Sequence, residues 1–372
     1  MTRRLQSVIV MLTVAMLGGC ATVGFYAQAV QGHLGVLARA RPIEDVVADP
    51  STTPDLKARL ALVLRIRAFA SRELALPDNG SYRTYADLGR PAVVWNVFAA
   101  SEFSVDARQW CFPVAGCVGY RGYFDRMAAE RFAQRLQREE GLQTWVGPVP
   151  AYSTLGWFDD PVLNTFVGWP EAELARLIFH ELAHQRVYLP GDTAFNESYA
   201  VAVELEGVRR WMAQAGDPAA GEANARSLAR REAFFGLLLA HRERLAVLFR
   251  EPLDDAVKRS RRTALDARLR TEYRAFRQAW GQPAAPDRPA VPFEGFDRWF
   301  GDGPNNAQLA SVALYNEHVP AFQRMLAEAG GDLGRFHEDV AALARLQPGQ
   351  RATRLRELAD PGRSRGTADR TD

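Results

Sequence analysis

The segment Leu177-Ile178-Phe179-His180-Glu181-Leu182-Ala183-His184 constrains this chain more than any other. Its apolar flanks place it on a buried α-helix. Three polar groups inside such a helix are costly unless they find partners. On a helix, His180 and His184 stand one turn apart, offset by about 40° around the axis. Their rings can therefore meet at one metal ion. Glu181 points in a neighbouring direction, where it can reach a water at that metal without becoming a ligand. A zinc ion would satisfy all three groups.

A third ligand is expected at Glu197, in Asn196-Glu197-Ser198-Tyr199-Ala200. Pro190-Gly191-Asp192 reads as a turn between two antiparallel helices. The start of the second helix then lies beside the end of the first. Two His and one Glu fill three positions of a tetrahedron and leave the fourth open, as a catalytic zinc site requires. The expectation is one Zn2+ per chain. The plainer reading of Glu197 is a helix N-terminal carboxylate favoured by the dipole. Glu204 lies two turns later on the same face. It is expected either to accept a hydrogen bond from a liganding His or to form a surface ion pair. Glu181 is then the general base. Tyr315 is the first candidate to stabilise an oxyanion, with His318, Tyr188 and Tyr199 also considered. His33, His241 and His337 read as surface or core residues.

The N-terminus has its own grammar. Arg3 and Arg4 precede the apolar run Val8 to Leu17, and Leu17-Gly18-Gly19 leads into Cys20. Residues 1–20 therefore read as a lipoprotein signal peptide resembling the bacterial lipobox, with Cys20 as the lipidated residue. A plain signal peptide or an N-terminal anchor is the alternative. Each reading puts the rest of the chain in the bacterial cell envelope, facing the periplasm, and a lipid would hold it on the membrane. In that oxidising space Cys111 and Cys117 are expected to form a disulfide, the alternative being two buried thiols. A net charge of +2 without a basic stripe argues against nucleic acid as a partner.

The expected fold class is α+β, mainly α: a helical, zincin-like catalytic body beside a small β-rich section. One domain over 21–350 would hold the β-rich section at about 90–155 and the helical body at about 170–350. Helices are expected over 26–41, 54–75, 124–139, 170–188, 193–214, 220–249, 253–280, 305–329 and 332–346. Strands are expected over 92–98, 117–123 and 144–152. An extended segment at 144–152 or 162–168 is expected to line the cleft. Residues 351–372 are expected to be a disordered tail.

The His-Glu-x-x-His and Asn-Glu-x-x-Ala elements look like those of the gluzincins, with shorter spacing between them. Four stretches resemble a bacterial family of predicted aminopeptidases, largely secreted or lipoprotein chains. They are Trp110 to Cys117, Tyr120 to Phe124, Thr154 to Leu163 and the helix pair. The resemblance covers most of residues 25 to 345 and implies a zinc peptidase acting on peptides. The Gly-x-Met-Glu-Asn element that holds a substrate ammonium in gluzincin aminopeptidases has no counterpart here. Asp159, Asp160 or Glu317 would have to take that part. Two rival readings stand beside this one. The first is a zinc endopeptidase acting on envelope proteins or peptidoglycan crosslinks. The second is a non-catalytic lipoprotein scaffold, against which the intact Glu181 argues.

Overall fold

The structure is a computed structural model that describes residues 23–112, 116–216, 218–281 and 293–360. Cys20 and the last dozen residues of the expected tail lie outside the described residues. The fold is α+β and mostly α, with three small sheets.

The N-terminal half carries the sheets. Helix α1 spans 23–37. The short β1 (Arg41–Pro42) and α2 (Ile43–Ala48) lead into α3 (Pro54–Leu74). Helix α3 starts where Thr53 accepts a bond from the Leu56 amide and Pro54 presets the first turn. Strand β2 (Thr84–Ala86) joins β1 antiparallel and β8 (Val162–Leu163) parallel. A second sheet is centred on β3 (Val94–Ala100), an apolar run buried along its whole length. It is flanked by β6 (Arg121–Tyr123) and β7 (Gln143–Val149), both antiparallel to it. Pro148 is tolerated because β7 stands at the sheet edge. Strands β4 (Trp110–Phe112) and β5 (Gly116–Val118) form a hairpin in which Cys111 and Cys117 face each other and are disulfide-bonded. Helix α4 (Arg126–Glu140) covers β3.

The rest is helical: α5 (Glu171–Arg186), α6 (Thr193–Ala215), α7 (Pro218–Arg250), α8 (Asp255–Trp280), α9 (Glu294–Phe300) and α10 (Asn306–Asn316). Then come α11 (Val319–Glu328), α12 (Leu333–Ala344) and α13 (Pro348–Ala359). The largest core joins α3, α5, α6, α11, α12 and α13. A separate apolar centre joins the α7–α8 hairpin to α9 and to Leu309 and Val312 of α10. Helix α10 touches both halves, because its Ala307 also packs on Phe98 and Ala100 of β3.

Three expectations need correction. The helix expected over 305–329 is two helices, broken at Glu317 and His318. Pro320 has no amide hydrogen to continue the first helix and is at home in the first turn of the next. The tail expected to be disordered from 351 is helical to Ala359. Leu355 and Leu358 reach the main core, and the Arg351 guanidinium binds the carbonyls of Ala344 and Leu346. Finally, 162–168 contributes only the two buried residues of β8, which sit in the core instead of lining a cleft.

Candidate metal centre

The site is built by two helices and the turn between them. Helix α5 is buried from Leu174 to His184, Leu177 only partly, against α3 and α6, with His180, Glu181 and His184 the polar residues of its apolar stretch 177–184. Helix α6 begins at Asp192, whose carboxylate accepts from the Phe195 amide. One turn in, Asn196 clasps the turn from both sides. Its Oδ1 accepts from the Leu189 amide at 2.7 Å, and its Nδ2 donates to the Leu189 carbonyl at 2.8 Å. This clasp fixes where the next residue, Glu197, enters the helix.

His180, His184 and Glu197 come together, all buried. The two Nε2 atoms are 3.1 Å apart, and the Glu197 Oε2 lies 3.2 Å from one and 3.6 Å from the other. Ligands bonded at about 2.1 Å to a tetrahedral cation sit about 3.4 Å apart, so the three atoms already have the spacing of a coordination shell. Their chemistry agrees. The His180 Nδ1–H donates to Glu204 at 2.8 Å, which leaves a bare lone pair on Nε2. That lone pair faces a carboxylate oxygen and a second imidazole, acceptors turned toward acceptors. A metal ion resolves the conflict, as a second ring proton would, and the residues fit a metal ion. The charges reflect the same crowding. Burial opposes a proton on His180, but Glu197 and Glu204 outweigh it and raise its pKa. Burial also opposes ionisation of Glu197, yet the two imidazoles hold its pKa down at about 2.

Glu181 is buried beside the ligands. Burial raises its pKa, the two His oppose this, and Glu197 and Glu204 reinforce it. Around it stand tyrosines from separate parts of the chain. Burial raises the phenol pKa of both Tyr315 and Tyr120, and the fields of Glu197 and Glu181 raise them further. Tyr188 responds to burial and then to Glu197. Tyr315 thus arrives from α10 and Tyr120 from the turn between β5 and β6. Tyr120 had no role in the sequence reading, although it opens the Tyr120 to Phe124 motif. The other candidates separate. Tyr199 turns away and donates to Nδ1 of His337. His318 offers its backbone amide to the Ser198 hydroxyl at the α10–α11 break.

The three acidic substrate candidates differ in their surroundings. Glu317 is exposed at that break. Asp159 is exposed and lies over Gly80. Asp160 is bonded within the loop and lies in the field of Glu181. At 3% exposure it accepts from the Thr154 amide and from Nε2 of Gln185. Gln185 also receives a bond from Asn79, in a segment whose carbonyls are gathered by the buried Arg67. Residues 153–160 are in this way tied to the helix position directly after His184. Burial raises the Asp160 pKa to about 6, against the pull of Thr154. Gln185 carried a signal that the sequence reading passed over, a polar side chain continuing the polar face of an otherwise apolar helix.

The hairpin is the other unanticipated contributor. Gly116, at φ +73°, lies so close to the α5–α6 turn that a Cβ there would stand 2.4 Å from the Gly191 amide nitrogen. The disulfide-bonded hairpin therefore presses directly on the turn that sets the ligand spacing.

A mainly helical fold here sets a buried His-His-Glu cluster that could hold a metal ion beside a further buried carboxylate. The model of a family described as "putative aminopeptidase" matches residues 24–355, and the chain belongs to that family. Neither the curated proteins nor the solved structures contain a match.

Proposed function

We propose that this protein is a zinc-dependent aminopeptidase of the bacterial cell envelope, acting on short peptides and held on the membrane by a lipid at Cys20. The observation that carries the reading is the tetrahedral spacing of His180, His184 and Glu197 beside Glu181, in a chain of an aminopeptidase family. His180, His184 and Glu197 would hold the zinc. When bound, zinc supplies Lewis acidity to the scissile carbonyl and to the attacking water. Glu181 takes the proton of that water and returns it to the leaving amine. Tyr315, with Tyr120 beside it, donates to the oxygen of the tetrahedral intermediate. Glu204 keeps the His180 proton on Nδ1 and so keeps Nε2 available.

The test is metal analysis of the purified chain together with hydrolysis of free and N-acetylated peptides. One zinc per chain is expected, lost in Glu197→Ala and kept in Glu181→Gln, with Glu181→Gln turnover lower by at least about a thousandfold. Cleavage only of free N-termini supports the aminopeptidase. Equal cleavage of acetylated peptides would replace it with an endopeptidase, and well-folded protein that refuses zinc would sink both.

A further inference from the structure

Helix α1 carries no Asp, Glu, Lys or Arg between 23 and 37, and its polar side chains are Gln28, Gln31 and His33. One side is used. Phe25 stacks on Phe112 and lies under the Arg121 guanidinium, while Val36 is buried in the main core. The opposite side is bare. Val23, Val30 and Leu34 form a stripe at helical spacing and are 68%, 59% and 56% exposed. Tyr26 widens it. The stripe does not end with the helix. His33 bonds to the Tyr152 hydroxyl, and its ring meets that of Phe158 at 4.7 Å. Phe158 and Trp157 are themselves exposed, Trp157 by 75%. An apolar helix face and an aromatic loop tip are thus joined through His33, in a chain whose other surface helices are rich in arginine.

We infer that this patch is a bilayer-contacting face, with α1 lying in the headgroup region and Trp157 inserted beside it. The occupant follows from what precedes α1. Residues 1–22 lead directly into the first turn of the stripe, and Cys20 to Val23 reaches at most about 10 Å. A lipid on Cys20 therefore holds this turn at the membrane surface. The face would supply a membrane contact beside that lipid and fix how the body sits on the surface. Tryptophan favours the interface. No described helix is long and apolar enough to cross a membrane, so the contact is peripheral. The inference rests on the anchor at Cys20 and is independent of the peptidase chemistry.

The test reconstitutes the full chain into vesicles of phosphatidylethanolamine and phosphatidylglycerol, with and without bromine on the acyl chains. Flotation reads the anchor, and quenching of tryptophan emission by the brominated lipid reads the face. Hydrolysis of a soluble peptide in the same samples reads the enzyme. With 8 Trp in the chain, floated protein should lose roughly one eighth of its emission. The loss should vanish in Trp157→Phe and shrink in Leu34→Asp, an exposed substitution that leaves the core intact. Floated protein with no Trp157-dependent quenching overturns the face and leaves the anchor standing. A chain that does not float overturns both. A dimer that forms in lipid-free buffer and dissociates in Leu34→Asp assigns the patch to a second copy of the chain and also overturns the inference. Peptidase activity can be present or absent in any of these outcomes.

Discussion

Glu204 decides which nitrogen of His180 carries the proton, and so whether the lone pair on Nε2 is free for a metal. Glu204→Ala should lower zinc affinity by about 10- to 100-fold, measured by competition with a chromophoric chelator. Glu204→Gln retains an acceptor and should lose less. In the proposed mechanism Tyr315 acts at a different stage. Tyr315→Phe should lower kcat by roughly 10²-fold with KM little changed, while zinc content stays at wild type. Tyr120→Phe tested alongside shows how the two phenols share the work. The meeting of His180, His184 and Glu197 was legible because their spacing is local: one helical turn, then one turn of chain. Tyr120 was not, because nothing in the sequence says that the β5–β6 turn lies over the metal helices. The surroundings of Asp160 were not legible either, because its carboxylate is buried and bound to Thr154 and to Gln185, which the chain brings from a different element.

At the scale of elements, the β4–β5 hairpin has consequences out of proportion to its size. Opening the Cys111–Cys117 loop in a Cys111→Ser/Cys117→Ser variant should cost about 2 kcal/mol through loop entropy, read as a lower denaturation midpoint. Gly116→Ala should do something else. Its φ of +73° and the 2.4 Å approach to Gly191 force the turn to move. Zinc affinity should fall more than global stability does, and metal titration against thermal unfolding separates the two. Helices α3, α5 and α6 were legible from apolar periodicity closed by Pro or Gly. The tail was misread because composition was averaged over 351–372. Leu355 and Leu358, three positions apart on one face, were enough to dock α13. The break between α10 and α11 was signalled by Pro320 and went unused.

Across the whole molecule, α12, α3 and α6 are joined through one buried side chain. His337 donates from Nε2 to the Leu74 carbonyl at the end of α3 and accepts from Tyr199 of α6. Burial lowers its pKa from 6.5 to about 4. The unfolded chain binds this proton more readily, so the contribution is complete above pH 6.5 and is lost as pH falls toward 4. From pH 7.5 to 5 the loss should be about 2 kcal/mol. Urea unfolding should show it, and the pH slope should flatten in His337→Gln. The mainly helical class was legible from the sequence. The two separate apolar centres and the bridging α10 were not, since both depend on which helices pair. The turn between His184 and Glu197 carries a last implication. Gly116 closes it on the outside, and Asn196 clasps it from within. An added residue would have to be stored in that filled space or inside α6, where it would swing Glu197 by about 100°. The number of residues between the two ligands is therefore a dimension of the metal site itself, a gauge that tolerates substitution far better than insertion.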